Sequence, residues 1–200
     1  MIKAIIFDIG GVMFDETKST QYSDIAKAFG INPNKFIETK NKYMKFAKVG
    51  DLNADGFIKK IAKTFNLNEE ELKEKWIKIY KQKKFSNEMI QLVQNLKKNN
   101  YKVIVLSNSH ELHAKINYER GLYSNFDKVF LSNELKIAKP DRKIYKYVLK
   151  KLKLKPEECV FIDDKEDNVR VAKELNINGI IFKDYKSLIT GLKNFNITLK

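Results

Sequence analysis

Short apolar runs recur along the second half of the chain, and one more lies close to its start. Each run is four or five residues long, consists mostly of Ile, Val, Leu and Phe, and does not alternate with polar residues. Uninterrupted runs of this length predict strands that are buried on both faces of a parallel sheet. The predicted strands are 3–7, 102–106, 159–162 and 179–182, with a weaker one at 128–131.

Amphipathic stretches with helical spacing separate these runs. In one of them Met89, Val93 and Leu96 recur at intervals of four and three residues. Strands that alternate with helices predict an α/β fold with a doubly wound, mainly parallel, Rossmann-like sheet. The predicted helices of this part are 86–100, 141–153, 167–176 and 184–195.

Residues 15–84 interrupt the alternation, because they carry helical patterns and no convincing strand pattern. An all-helical insertion after the first strand predicts an α-helical cap domain over the carboxyl end of the sheet. The catalytic core then comprises 1–14 and 85–200. A helical domain with a purely structural role is the alternative. The predicted cap helices are about 20–30, 33–48, 53–66 and 69–84, and the sequence NEEE at 68–71 predicts an N-terminal cap for the last.

The charge balance restricts the expected partners. The 200 residues include 39 Lys and Arg against 25 Asp and Glu, which gives a net charge of +14. The two signs are interspersed, as in NEEELKEKW at 68–76, and the chain has neither a zinc-finger spacing nor an arginine-rich stretch. We therefore expect a small anionic substrate rather than a nucleic acid.

Cysteine usage and hydropathy favour a cytoplasmic protein. The single cysteine, Cys159, cannot form an intramolecular disulfide and opens an apolar run, so a buried inert thiol is predicted. The first apolar run ends at Asp8 and lacks a signal-peptide cleavage pattern, and no run approaches the length of a membrane span.

Polar residues follow three of the predicted strands. Asp8 comes after the first, 107–108 after the second, and 163–164 after the one at 159–162, while Lys139 precedes Pro140 in a loop. The carboxyl ends of parallel strands face one crevice, so these side chains are expected to meet there. Carboxylates suit Mg²⁺, and a hydroxyl, backbone amides and a lysine suit a phosphate. A carboxylate in such a site can attack phosphorus and form an aspartyl-phosphate.

The ordered motifs resemble those of the haloacid dehalogenase (HAD) superfamily. They read FDIGGVMFD at 7–15, VLSNS at 105–109, AKPDRKIY at 138–145 and FIDDKEDN at 161–168. Within the superfamily the chain is most similar to small bacterial sugar-phosphate phosphatases, including α-D-glucose-1-phosphate phosphatases. The resemblance implies a Mg²⁺-dependent hydrolase of a small phosphorylated metabolite, working as a monomer or homodimer.

The resemblance also implies a role for each matching residue. Asp8 would be the nucleophile and a metal ligand, and Gly10 would offer its backbone carbonyl to Mg²⁺. Asp164 would be the direct ligand from the later motif, supported by Asp163. Ser107 and Lys139 would bind phosphate, and the further substrate contacts that we expect are Asn108 and His110.

Gly10 departs from the pattern of the family. Most phosphatases of the family have an Asp there that acts as general acid and then as base, which is worth roughly 10²–10⁴-fold in rate. The chain is therefore expected to prefer leaving groups that need little protonation, such as a sugar 1-phosphate, with Asp15 or His110 assisting through water. Asn168 also replaces a frequent acid, and its amide is expected to orient a water or a lysine.

Two other functions stay open. A haloacid dehalogenase proper also lacks the second Asp, but it uses no metal and needs a cap arginine, and residues 15–84 contain none. A catalytically weak HAD-fold module that binds a phosphorylated ligand or a protein would explain Gly10. It would not require the other motif residues to be intact.

A few remaining residues carry weaker expectations. His110 and His113 lack the further imidazole or thiolate that a zinc site needs, and His113 is expected at the surface. Trp76 is expected in the core of the cap. The residues that flank the break at 48–53 and are expected to face the active site are Tyr43, Lys45, Lys48 and Asp51.

Overall fold

A parallel sheet forms the centre of the computed structural model, which describes residues 1–15 and 20–199. Its strands are β1 Ala4–Phe7, β2 Lys102–Ser107, β3 Lys128–Leu131, β4 Cys159–Asp163 and β5 Asn178–Ile181. All five run parallel, in the order β3-β2-β1-β4-β5. The predicted α/β fold is confirmed, and each predicted strand end lies within one residue of the observed one. Because β1 lies between β2 and β4, the residues that follow these three strands meet at one edge.

Where the structure describes the chain between β1 and the next helix of the core, it has four helices, and we call them the inserted helices. The chain leaves the core after Phe14 and returns at Phe85, and these two residues form an antiparallel bridge. A hydrogen bond from the Ser86 amide to the Met13 carbonyl, 3.0 Å long, holds the two segments together. The inserted helices are α1 Gln21–Ala28, α2 Pro33–Ala47, α3 Ala54–Phe65 and α4 Glu69–Gln82.

Three of the inserted helices, α2, α3 and α4, begin at asparagine side chains that cap free amides. Asn32 accepts from the amides of Asn34 and Lys35, and Asn53 accepts from Gly56. The predicted cap at 68–71 is confirmed, because the Asn68 side chain accepts from the Glu71 amide at 3.0 Å. Each such cap contributes about 1 kcal/mol to helix stability.

Six further α-helices lie in the described part of the chain, on both faces of the sheet. They are α5 Asn87–Lys98, α6 Glu111–Glu119, α7 Ser132–Leu135, α8 Arg142–Leu152, α9 Glu166–Glu174 and α10 Tyr185–Asn194. Successive residues of β1 point to opposite faces: Ile5 and Phe7 pack with α5, α10 and the inserted helices, whereas Ala4 and Ile6 pack with α8 and α9. Among the described residues, no helix is long and apolar enough to cross a membrane.

The break between α2 and α3 is fastened to the core beside β3. The hydroxyl of Ser132 donates to the Lys48 carbonyl, and the Lys136 ammonium donates to the Gly50 carbonyl. Gly50 has a φ of +68°, and a Cβ there would lie 2.3 Å from the Asn133 carbonyl oxygen. This close backbone approach requires glycine. The contacts hold the inserted helices over the carboxyl edge of the sheet.

Two predictions of buried residues are confirmed. Cys159 is fully buried, and burial raises the pKa of its thiol to about 12, so the thiolate is not available. Trp76 is fully buried and packs against Phe36 and Phe57 of the inserted helices.

Candidate active site

A buried lysine links two carboxylates at the carboxyl edge of the sheet. The Nζ atom of Lys139 lies 2.9 Å from Asp8 Oδ1 and 2.6 Å from Asp163 Oδ2, and it also donates to the Leu106 carbonyl at 2.7 Å. Only 2% of Lys139 is exposed. Burial acts to lower the pKa of this ammonium, but Asp8 and Asp163 outweigh it and raise the pKa. Lys139 is therefore a permanent cation within the site.

Asn108 holds the backbone of Lys139 in place. Its Nδ2 donates to the Lys139 carbonyl and its Oδ1 accepts from the Lys139 amide, both at 2.8 Å. Both polar ends of the side chain are thus engaged in positioning the lysine. The substrate contact expected of Asn108 stays a prediction.

Asp163 is fully buried and surrounded by donors. Besides Lys139, it accepts from the Lys165 amide at 2.8 Å and from Asn168 Nδ2 at 3.0 and 2.9 Å. These bonds occupy both carboxylate oxygens, which favours the supporting role over direct metal ligation. Asn168, expected to orient a water or a lysine, orients Asp163, which in turn holds Lys139.

Three carboxylates crowd this edge of the sheet. Oxygen atoms of Asp8, Asp163 and Asp164 all lie within 4.8 Å of one another. Burial raises the pKa of Asp8, against the effect of Lys139, and burial with Asp8 and Asp163 raises the pKa of Asp164 to about 6. A hard divalent cation relieves such repulsion, and carboxylate oxygens are the ligands that Mg²⁺ prefers. The donor set therefore fits the predicted Mg²⁺.

Gly11, which sequence reasoning did not single out, makes room for Asp164. Its φ is +73°, and a Cβ there would lie 2.6 Å from Asp164 Oδ2 and 2.8 Å from its Cγ. The neighbouring Gly10 differs, because a Cβ at that position would meet only Asp8 Oδ2, at 3.9 Å. The structure therefore has room for a side chain at position 10, whereas a side chain at position 11 would displace Asp164.

Replacing Gly11 with alanine is expected to push the Asp164 carboxylate away from Asp8. We expect Gly11→Ala to raise the Mg²⁺ concentration needed for half-maximal thermal stabilisation by about tenfold or more. Thermal melts over a Mg²⁺ titration measure this. The positive φ alone costs about 1–2 kcal/mol of stability for a residue with a Cβ.

Gly121→Ala is the matched control for this backbone cost. Gly121 has the same φ of +73°, but a Cβ there would meet only Ser124 Oγ, at 3.9 Å. Both variants should lose similar stability without Mg²⁺, and only Gly11→Ala should need more Mg²⁺. An unchanged Mg²⁺ requirement in Gly11→Ala would show that Asp164 is not a ligand.

A cavity of about 580 Å³ opens between these residues and the inserted helices. Asp8, Ser107 and Asp164 line its core side, and Lys45 and Lys48 line it from α2 and the residue that follows, as predicted. Tyr43 and Asp51 do not line it, so that prediction is wrong. The Tyr43 hydroxyl lies 3.5 Å from Thr64 Oγ1 instead.

Several cavity residues were missed by sequence reasoning. Lys40 and Met44 precede Lys48 at intervals of four residues, so they share one face of α2. That spacing could have revealed Lys40. Gln21 and Tyr22 of α1 also line the cavity, and no sequence signal indicated them.

The two histidines lie inside an aromatic cluster. His113 is only 8% exposed, its Nε2 accepts from Trp76 Nε1 at 2.9 Å, and it stacks on Tyr80. The predicted surface position of His113 is therefore wrong. His110 lines the cavity, and burial, with some effect of Lys40, lowers the pKa of its imidazole to about 3. Its ring is neutral at physiological pH, and neither ring nitrogen has a protein partner among the described residues.

Comparisons with known proteins agree with this geometry. The family model of haloacid dehalogenase-like hydrolases matches residues 2–176. The D-ribitol-5-phosphate phosphatase of Bacteroides thetaiotaomicron is 27% identical over 186 residues, which cover 88% of this chain and 89% of that protein. Drimenol cyclase of Aspergillus calidoustus is 28% identical over 192 residues, covering 91% of this chain but only 34% of the relative, so the chain spans about a third of it.

A solved structure is also similar over almost its whole length. It is a HAD family enzyme from Bacteroides thetaiotaomicron in complex with magnesium and inorganic phosphate. Its TM-score is 0.78 at 25% sequence identity, and the match covers 94% of this chain and 99% of that one.

Proposed function

The chain belongs to the haloacid dehalogenase-like hydrolases, and we propose that it is a Mg²⁺-dependent phosphohydrolase that cleaves a small phosphomonoester, a sugar phosphate, through an aspartyl-phosphate on Asp8. The observation that carries the proposal is Lys139, a buried cation that touches both Asp8 and Asp163 beside the carboxylate of Asp164. The phosphatase among the relatives and the phosphate complex among the structures support it.

Asp8 and Lys139 supply the covalent chemistry. An ionised Asp8 oxygen attacks the phosphorus, and the bond from phosphorus to the leaving-group oxygen breaks. A water then attacks the same phosphorus, which releases phosphate and restores the carboxylate. Lys139 and the hydroxyl of Ser107, which is only 3% exposed at the end of β2, hold the phosphoryl oxygens. The lysine charge also offsets the repulsion between Asp8 and the incoming phosphate.

Asp8, Asp164 and the backbone carbonyl of Gly10 are the residues that would hold Mg²⁺. When bound, the ion supplies positive charge that neutralises phosphoryl oxygens. Asp163 keeps its hydrogen bonds to Lys139 and Asn168, and so it fixes the geometry without joining the ligands.

The absence of a carboxylate at Gly10 shapes the substrate choice. Neither of the two groups expected to assist is ready to protonate a poor leaving group, because the imidazole of His110 is neutral and Asp15 does not line the cavity. Leaving groups that depart as weak bases, such as the anomeric oxygen of a sugar 1-phosphate, need the least help.

Removal of Mg²⁺ is the test of this function. p-Nitrophenyl phosphate has a leaving group that needs almost no protonation, so it reports on the nucleophile and the metal alone. We expect a chelator to lower phosphate release by at least about a hundredfold, because the charge that the metal supplies is lost, and re-added Mg²⁺ to restore it. A folded protein that releases no phosphate with Mg²⁺ would instead favour the binding-module alternative.

A further inference from the structure

Lys40 of α2 is a buried cation without a matching anion. Only 8% of the residue is exposed, and its ammonium lies over the Tyr22 ring, 4.1 Å from the ring centroid. In the described part of the chain it forms no ion pair with a carboxylate, and the nearest charge that affects it is the like charge of Lys165. A buried charge of this kind is costly unless something compensates it.

The surroundings of Lys40 add to the positive charge. Lys45, Lys48 and Lys165 line the same cavity, whereas its carboxylates, Asp8 and Asp164, lie at the sheet edge. Burial, with Lys165 adding to it, lowers the pKa of Lys40 to about 8, so the ammonium stays mostly protonated at neutral pH. An anion beside Lys40 would offset the free-energy cost of burying its charge.

We propose that Lys40 binds a second anionic group of the substrate, a carboxylate or a second phosphate at the far end of the leaving group. The inference rests on the proposed function, since it places the first phosphate at Asp8 and Lys139. Lys40 and Asp8 line one cavity of about 580 Å³, so one small molecule spans both.

Polar atoms in the cavity wall indicate which groups the substrate carries between its two anionic ends. Both ring nitrogens of His110 are buried without a hydrogen-bond partner among the residues that the structure describes. The polar side chains of Gln21, Asn117 and Tyr123 line the same cavity. Buried polar atoms of this kind are normally satisfied, and hydroxyl groups can both donate to and accept from this set. The substrate class is therefore a phosphorylated polyhydroxy acid or a sugar bisphosphate.

Two matched substrate pairs test the proposal. Glucose 1-phosphate is compared with glucuronic acid 1-phosphate, which has a carboxylate in place of the C6 hydroxymethyl group, and with glucose 1,6-bisphosphate, which adds a phosphate. In at least one pair we expect kcat/KM of the unmodified protein to be about 10- to 100-fold higher for the member with the second anion. The pair that shows the preference identifies the anionic group.

Lys40→Met should abolish that preference, because it keeps the length of the side chain and removes the charge. The readout is the ratio of kcat/KM within a pair, which a general loss of activity does not alter. Lys42→Met on the same helix is the control, since Lys42 is exposed and does not line the cavity, and it should retain the ratio. Lys40→Gln serves if the Met variant does not fold.

A ratio near one in both pairs, or a preference that persists in Lys40→Met, would overturn the proposal. Turnover of p-nitrophenyl phosphate separates this failure from failure of the phosphatase function. If the protein hydrolyses nothing, calorimetric binding of glucuronic acid 1-phosphate and glucose 1,6-bisphosphate with Mg²⁺ decides. Tighter binding than their singly charged partners, lost in Lys40→Met, supports the subsite, and equal binding refutes it.

Discussion

Asp8→Asn is expected to lower the hydrolysis of p-nitrophenyl phosphate by at least about a thousandfold, to the background rate. An amide oxygen is a poor nucleophile toward phosphorus and a poor ligand for Mg²⁺. The substitution therefore removes both contributions of the residue at once. Steady-state phosphate release at saturating Mg²⁺ measures the loss.

The fold should survive this substitution, because the new side chain keeps the acceptor for Lys139. The ion pair of Lys139 with Asp163, at 2.6 Å, is also retained, so the buried ammonium of Lys139 keeps a counter-charge. Asp55→Asn is the control. Its carboxylate is exposed, pairs with Lys73 on α4, and does not line the cavity, so activity should stay within about twofold. We expect the Asp8→Asn variant to lose activity by about a thousandfold. A folded Asp8→Asn protein that keeps roughly a tenth or more of the activity would therefore exclude Asp8 as the nucleophile.

The sheet was predictable because its strands are buried on both faces. Continuous runs such as 102–106 and 159–162 leave no alternative to a central parallel strand, and parallel topology brings their carboxyl ends together. The approach of Asp8, Ser107 and 163–164 follows from that rule. The rule does not place Lys139, because this residue lies in a loop that α7 separates from β3. The roles of these residues in catalysis stay predictions until the variants are measured.

The orientation of the inserted helices was not predictable in the same way. An amphipathic pattern predicts that one face of a helix is buried, but it does not predict which neighbouring element covers that face. Tyr43 was expected in the cavity and contacts Thr64, while Lys40, three residues earlier, was overlooked. His113 was expected at the surface, yet Trp76 and Tyr80 of α4 pack against it.

The contacts of individual side chains could not be predicted from the sequence either. Asn108 stands beside Ser107 in a motif that suggests phosphate contact, but both ends of its amide bind the Lys139 backbone. Similarly, the requirement for Gly11 depends on the position of Asp164, which is distant in sequence. Such contacts arise only when two separate loops are placed against each other.

Gly10→Asp is expected to raise the turnover of an alkyl phosphate such as glycerol 3-phosphate, relative to that of p-nitrophenyl phosphate, by about 10²-fold or more. The site has the space, since a Cβ at Gly10 meets only Asp8 Oδ2, at 3.9 Å, and the backbone there does not require positive φ. A carboxyl group at this position can protonate the departing alkoxide, and only the poor leaving group needs that proton. Its later activation of the attacking water acts on the aspartyl-phosphate, which both substrates share, so it alters both turnover rates.

The ratio of the two turnover rates is the measurement, because it cancels changes in folding and in Mg²⁺ occupancy. Gly10→Asn is the matched control: it introduces a side chain of the same size that cannot transfer a proton, so the ratio should stay as in the unmodified protein. An equal rise in both variants would mean that the side chain acts through shape. A Gly10→Asp protein that hydrolyses p-nitrophenyl phosphate yet gains nothing on glycerol 3-phosphate would mean that another group already serves as the acid. The lysines that line the cavity, Lys40 among them, would then be the place to look for it.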